Sequence, residues 1–263
     1  MELELREKVA IVSGSSSGIG LAIARTLARE GVRLTLTARR EERIRDAAEW
    51  IRKESGASVI WVSANVAYAE DNKRVVDETI KNFGRLDILV NNDGAPAVGL
   101  INTFDDDAWN KAVQQNLMSV VRMIRLSVPH MQASGGGRII NITSTSVKQP
   151  LSGLGLSVAT WAGVIALSKT LVLELGPAGI TVNNICPGRI ATSRLEKVFK
   201  LRAQSERSDA TNVMEEKIKE VPLNRFGSPE DVAALVAFLA SKWGGFITGV
   251  TIQVDGGLVR SLL

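Results

Sequence analysis

A run of small residues, Gly14-Ser15-Ser16-Ser17-Gly18-Ile19-Gly20, sits between an apolar stretch and a helix-like one. Residues of this kind in this place suit phosphate chemistry: glycines let the backbone approach a pyrophosphate, whose charge then meets the free N–H groups that open the helix. Three serine hydroxyls add donors. About twenty residues on stands Thr37-Ala38-Arg39-Arg40. A carboxylate there would accept from the ribose 2′-hydroxyl of NAD, whereas a guanidinium suits the 2′-phosphate of NADP. Arg39 and Arg40 occupy the position and no acid does, so the sequence predicts NADP(H) in preference to NAD(H).

The remaining reactive side chains exclude more than they offer. One cysteine, Cys186, and one histidine, His130, leave no disulfide framework, no multi-His or Cys/His metal cluster and little room for a Ser-His-Asp hydrolase. We expect no metal site. Cys186 reads as a small buried hydrophobe and His130 as a helix-end residue. The 32 basic and 28 acidic side chains, net +4, are interspersed, which describes a solvated surface and no nucleic-acid footprint. The N-terminal residues lack a signal-peptide core, and no apolar run is expected to reach membrane-spanning length. The expectation is a soluble, cytoplasmic protein with no membrane partner.

Elements that position these residues follow from the apolar pattern. A chain of 263 residues, 45% hydrophobic and 23% charged, suits one α/β domain over 1–263. Short apolar runs at 9–12, 34–37, 59–63, 86–90, 138–142, 181–185 and 251–254 read as strands. Between them, 19–29, 41–54, 71–83, 103–131 and 158–175 read as helices. That alternation predicts a doubly wound, seven-stranded parallel sheet with helices on both faces, a single-domain Rossmann fold. The 158–175 helix is apolar nearly all round and is expected to be buried. A last helix should open at Ser228-Pro229-Glu230-Asp231, with a serine cap, proline in the first turn and acids at the positive end of the dipole. Residues 193–221 are charged and lack an apolar stripe; they predict a substrate-side flap.

Taken in order, the loop from Ser13 to Gly20, Asn91-Asn92-Asp93-Gly94, Asn116, Ser144, Pro187-Gly188 and Asp255-Gly256-Gly257 resemble the short-chain dehydrogenase/reductase family along essentially the whole chain. The resemblance implies that Gly14, Gly18 and Gly20 cradle the pyrophosphate, with Ser13 in place of a threonine. It implies that Asn65 and Val66 flank the adenine, an amide replacing a carboxylate. Asn92 and Gly94 would support the cofactor, with Asp93 where the family has alanine. Pro187, Gly188, Ile190 and Thr192 would meet the nicotinamide end.

The family's catalytic set is Asn, Ser, Tyr and Lys. Asn116 and Ser144 match the first two, but Ser157 stands at the tyrosine position and Trp161 at the lysine position. A phenol beside an ammonium group exchanges a proton near neutral pH, whereas an aliphatic hydroxyl ionises far higher and an indole brings no charge. Positioned acid–base groups contribute ~10²–10⁴ in rate. Lys148 and Arg189 are the candidate surrogates, and Trp161 serves packing or narrows the nicotinamide pocket. Three readings follow: an oxidoreductase acting on a ketone or secondary alcohol through an altered proton relay, a non-catalytic nucleotide-binding scaffold or sensor, and a lyase or isomerase using Lys148 or Asp93. Arg194, Lys197, Lys200 and Arg202 hint at an anionic or acyl-carrier substrate. The resemblance also implies a homo-oligomer, dimer or tetramer.

Overall fold

The computed structural model describes residues 2–92, 94, 96–196, 199 and 209–262. Asp93, Lys197, Lys200 and Arg202 lie outside the described residues. Seven strands, β1 (Val9–Ser13), β2 (Arg33–Ala38), β3 (Val59–Ser63), β4 (Ile88–Asn91), β5 (Gly137–Ile142), β6 (Ile180–Pro187) and β7 (Thr251–Val254), form one sheet in the order β3-β2-β1-β4-β5-β6-β7. Every pairing is parallel. The chain reverses its direction of sheet growth between β1 and β4, which opens a crevice at the carboxyl ends of those two strands.

The two-residue period of the strands sorts their side chains onto two cores. Ala10 and Val12 face one side, where they join Ile23 and Leu27 of α1 (Gly18–Arg29), Ile44 and Ile51 of α2 (Glu41–Ser55) and Val232 and Val236 of a late helix. Val9 and Ile11 face the other, with Val75 and Val76 of α3 (Ala69–Phe83) and Met123 and Val164 beyond. The late helix, Pro229–Ala240, opens as expected: the Ser228 hydroxyl accepts from Asp231 N–H while the Asp231 carboxylate accepts from Ser228 N–H.

Two helices differ from expectation. The region read as one helix from 103 is broken into a 3-10 turn at Ile101–Thr103, α4 (Asp106–Ala112) capped by the Asp105 carboxylate, a π-helical turn at Val113–Met118, and α5 (Ser119–Ala133). Asn116 lies within the π turn, the kind of local widening of a helix that recurs at functional sites. The apolar helix runs as α6 (Gly155–Leu175), but only one face of it is buried. Ser157, Thr160, Trp161, Val164 and Ser168 pack inward, while Ala159, Ala162, Ala166 and Leu173 are exposed. With the turn that follows, Gly155–Ala178 spans 24 residues, contains an 18-residue window with a mean hydropathy of 1.6, and meets the length and composition of a membrane span. That corrects the expectation that no apolar run is so long. The periodicity alone could not separate a helix seated on a sheet from one apolar on both sides.

Across the sheet runs a ladder of buried amides. Asn91 donates to Asn141 at 2.8 Å, Asn141 to Asn184 and Ser168 at 3.1 Å each, and Asn184 to Thr251 at 3.3 Å. Four strands and α6 are thereby fixed in one register, since a slip of one residue would strand several buried polar groups. At the open edge, β3 is held differently: Arg52 donates to Val59 O at 2.6 Å and Arg74 to Ser63 O at 2.7 Å.

Candidate cofactor and catalytic site

The glycine-rich loop leaves β1 at Ser13 and enters α1 at Gly18. Gly14 has φ +59, and a Cβ there would lie 2.0 Å from Asn92 O, so only glycine fits. Gly20 is fixed by packing instead, with a Cβ placed 2.3 Å from Gly14 O. Asn92 closes the arrangement from β4: its N–H donates to Ser13 Oγ at 2.9 Å and its amide reaches Ser13 O and Gly14 O.

The three serines of the loop do not act alike. Ser15 is fully buried; its hydroxyl donates to Val12 O at 2.8 Å and accepts from Thr37 N–H at 3.1 Å, and its own N–H donates to Thr37 O. Its place as a cofactor donor is therefore corrected: it staples β1 to β2. Ser16 and Ser17 line a cavity of about 210 Å³ with Gly14, Ala38, Arg39, Arg40, Arg43, Asn65, Val66, Asn92, Gly94 and Gln115. A larger groove of about 590 Å³ follows the open β3 edge and shares none of these residues.

Three exposed guanidiniums, those of Arg39, Arg40 and Arg43, border the smaller cavity, and none forms an ion pair with a described residue. Arg43 was not foreseen, although its place three residues beyond Arg40 on a helix start puts it on the same side. Asn65 turns its carbonyl to Ala67 N–H at 3.2 Å, which leaves its amide N–H groups as donors. Val66 is buried. These residues suit an adenosine phosphate: backbone N–H groups and hydroxyls for the pyrophosphate, cations for a further phosphate.

At the far end, Pro187 closes β6 and Gly188 packs on Asp255, where a Cβ would stand 2.6 Å from the aspartate Cβ. Ile190 is buried and bridges Gly227, and Thr192 leans over the loop with its methyl 3.4 Å from the Cβ position of Gly18. The glycine-rich loop and the end of β6 thus face each other, as a dinucleotide laid across the crevice requires.

The catalytic positions converge less simply. Asn116, 1% exposed, donates from Nδ2 to Thr160 Oγ1 at 3.2 Å, while its Oδ1 has no partner among the described residues and abuts Gly94, whose Cβ position is 2.0 Å away. Ser157 and Trp161, one turn apart on α6, share the buried face with Thr160, at 1% and 8% exposure. The Ser157 hydroxyl is also without a partner among the described residues. The structure therefore brings Asn116 to the helix face that holds the two substituted positions, through Thr160, a residue the sequence reading missed. Ser144 is half-buried after β5, and its Oγ accepts from Ser146 N–H and Ser146 Oγ–H.

Of the two surrogate cations, Arg189 is spoken for. It donates to Lys217 O and pairs with the Glu220 carboxylate, tying the end of β6 to α7 (Ala210–Lys219). Lys148 ends the 3-10 turn Thr145–Val147, half-buried. Its charge acts on the Cys186 thiol, which burial nonetheless pushes up from its ordinary pKa. Cys186 is fully buried with its sulfur 3.1 Å from Thr143 Oγ1, the inert packing role expected of it.

Comparison with known proteins settles the kinship. A family model described as enoyl-(acyl carrier protein) reductase matches residues 14–259. The chain is 37% identical over 257 residues to the 3-oxoacyl-acyl-carrier-protein reductase FabG of Staphylococcus epidermidis, covering 95% of this chain and 98% of that one. The chain belongs to the short-chain dehydrogenase/reductase family. Among solved members of the family, L-sorbose reductase from Gluconobacter frateurii, in complex with NADPH and L-sorbose, superposes with a TM-score of 0.96 at 36% identity, over the whole of both chains. A 7α-hydroxysteroid dehydrogenase in complex with NADH and 7-oxo glycochenodeoxycholic acid superposes with a TM-score of 0.90 at 27% identity, over 100% of this chain and 98% of that one. The protein is thus an oxidoreductase of the NAD(P)-dependent short-chain type.

Proposed function

We propose that the protein transfers hydride between NADP(H) and a small ketone or secondary alcohol, using a proton relay altered from the family's. The observation that carries the cofactor choice is the trio Arg39, Arg40 and Arg43 around the cavity after β2, free of ion pairs with described residues. Charge-assisted bonds from guanidinium to phosphate are among the stronger polar contacts. The NADPH held by the L-sorbose reductase it resembles supports the same choice. The NADH held by the steroid dehydrogenase makes a paired titration necessary.

In this reading, Gly14, Ser16, Ser17 and the α1 N-terminus bind the pyrophosphate, Asn65 and Val66 the adenine, and Gly188, Ile190 and Thr192 the nicotinamide end. The cofactor supplies the hydride. Ser144 holds the substrate oxygen, and Asn116 holds the π turn against α6. Protons reach that oxygen by a route without phenol or ammonium at Ser157 and Trp161, with Lys148 the cation nearest in sequence to Ser144. The protein works in the cytoplasm as a dimer or tetramer, a state supported by the exposed apolar face of α6.

The buried indole of Trp161 favours a second reading, in which the site binds nucleotide and turns over slowly or not at all. Titration with NADPH and NADH, followed by NADPH oxidation against a panel of ketones and diketones beside Ser144→Ala, decides. Turnover that Ser144→Ala abolishes supports the rewired enzyme. Tight NADPH binding with no turnover supports the scaffold. Tighter binding of NADH overturns the cofactor assignment.

A further inference from the structure

Ser144 retains a single free hydrogen-bond direction, and the residue two places on fixes it. Ser146 approaches the Ser144 oxygen twice, with its backbone N–H at 3.2 Å and its hydroxyl at 3.0 Å. An aliphatic hydroxyl has two acceptor lone pairs and one proton. With both pairs engaged by the same neighbour, the Ser144 proton points away from Ser146. Ser146 is 2% exposed in the turn Thr145–Val147, so water does not compete for its hydroxyl. Ser144 is half-buried beyond the carboxyl end of β5, the end of the sheet at which the crevice opens.

We infer that Ser146 is a positioning residue that makes Ser144 an obligate hydrogen-bond donor, so that the cleft receives an oxygen acceptor there, the carbonyl in preference to the alcohol. The inference rests on the reading of Ser144 as the substrate-oxygen contact and deepens it. A donor held in place before the reaction stabilises negative charge as it grows on a carbonyl oxygen without reorganising. The same geometry leaves Ser144 no lone pair with which to take the proton of an alcohol, so alcohol oxidation must deliver its proton elsewhere.

Neutron diffraction from crystals of the full-length protein exchanged into D2O locates the deuterons directly. The expected map has the Ser146 deuteron on the line to Ser144 Oγ and the Ser144 deuteron directed away from it. A Ser144 deuteron on the line to Ser146 Oγ overturns the assignment. In kinetics with NADPH and a ketone, Ser146→Ala lowers kcat/KM about three- to tenfold, the worth of one hydrogen bond, with the loss mainly in kcat because the bond strengthens in the transition state. Ser146→Thr, which keeps the hydroxyl, restores it. Equal losses in both variants with unchanged melting temperatures also overturn it. A wild-type protein that reduces no ketone defeats the functional reading, and the neutron map still decides the role of Ser146.

Discussion

Asn116 Nδ2 and Thr160 Oγ1 lie 3.2 Å apart and join the π turn to α6 inside the very turn that holds Ser157 and Trp161. Thr160 in turn donates to Leu156 O at 2.8 Å, so the contact is a short relay of two hydrogen bonds within a buried seam. Replacing the hydroxyl leaves the Asn116 amide without a partner among the described residues on either end, because its Oδ1 has none there already. Thr160→Val is expected to cost about 1–3 kcal/mol of stability, the penalty for a buried unsatisfied donor. Urea denaturation of the variant beside wild type measures it, and a change below a few tenths of that range would show the bond to be idle.

The cofactor assignment predicts a selective loss. Arg39→Ala and Arg43→Ala each weaken NADPH binding by roughly ten- to a hundredfold, as expected for a hydrogen bond to a charged group, and leave NADH nearly unchanged. Fluorescence titration with both nucleotides reports the ratio. Parallel weakening of the two would mean that the guanidiniums act on the shared pyrophosphate or only on the surface potential.

Restoring the family's pair should restore its chemistry. The double replacement Ser157→Tyr with Trp161→Lys is expected to raise ketone reduction by ~10²–10⁴ over the wild type, the range for a positioned acid–base group. Stopped-flow NADPH absorbance follows it. No gain in a folded, NADPH-binding variant would mean that the present relay already does as well.

Acid sensitivity has a definite source on the α1–α2 face. Hydrogen bonds from Arg25 (2.8 Å) and from Arg29 hold the Glu54 carboxyl down to about 2, from an ordinary 4.5. A carboxyl depressed in the folded state stabilises fully above its unfolded pKa and loses that contribution as pH falls toward its folded one. Melting temperature should therefore drop between about pH 5 and pH 2 partly through this group, and Glu54→Gln should flatten the slope in that window while leaving it unaltered above pH 6. The pair is exposed, so salt should weaken the effect.

Assembly is testable on the outer face of α6. A charge placed among Ala159, Ala162 and Ala166 must be desolvated if another subunit covers them. Ala166→Glu is expected to shift a dimer or tetramer toward monomer in size-exclusion chromatography with light scattering. An unchanged mass would move the interface elsewhere.

Much of the fold was legible because strands and caps announce themselves locally. The seven strands came within a few residues of their observed limits, and Ser228-Pro229-Glu230-Asp231 forms the capping box its chemistry predicts. The π turn around Asn116 was not legible, since no residue type marks a change from four- to five-residue hydrogen bonding. Ser15 was misread because composition shows a hydroxyl but not which way it turns; in the fold it turns inward, donating to Val12 O and accepting from Thr37 N–H. Arg189 likewise reads as a free cation in sequence, and only α7 supplies the carboxylate that claims it. Thr160 and Ser146 act through partners distant in chain or in role, and such contacts exist only after folding.

The guanidiniums of Arg52 and Arg74 on the outer carbonyls of β3 reach past the packing of one chain. A parallel sheet ending in bare peptide groups invites an incoming strand and, with it, fibre growth. Here two of the outward acceptors are already occupied, so this edge resists polymerisation through backbone pairing.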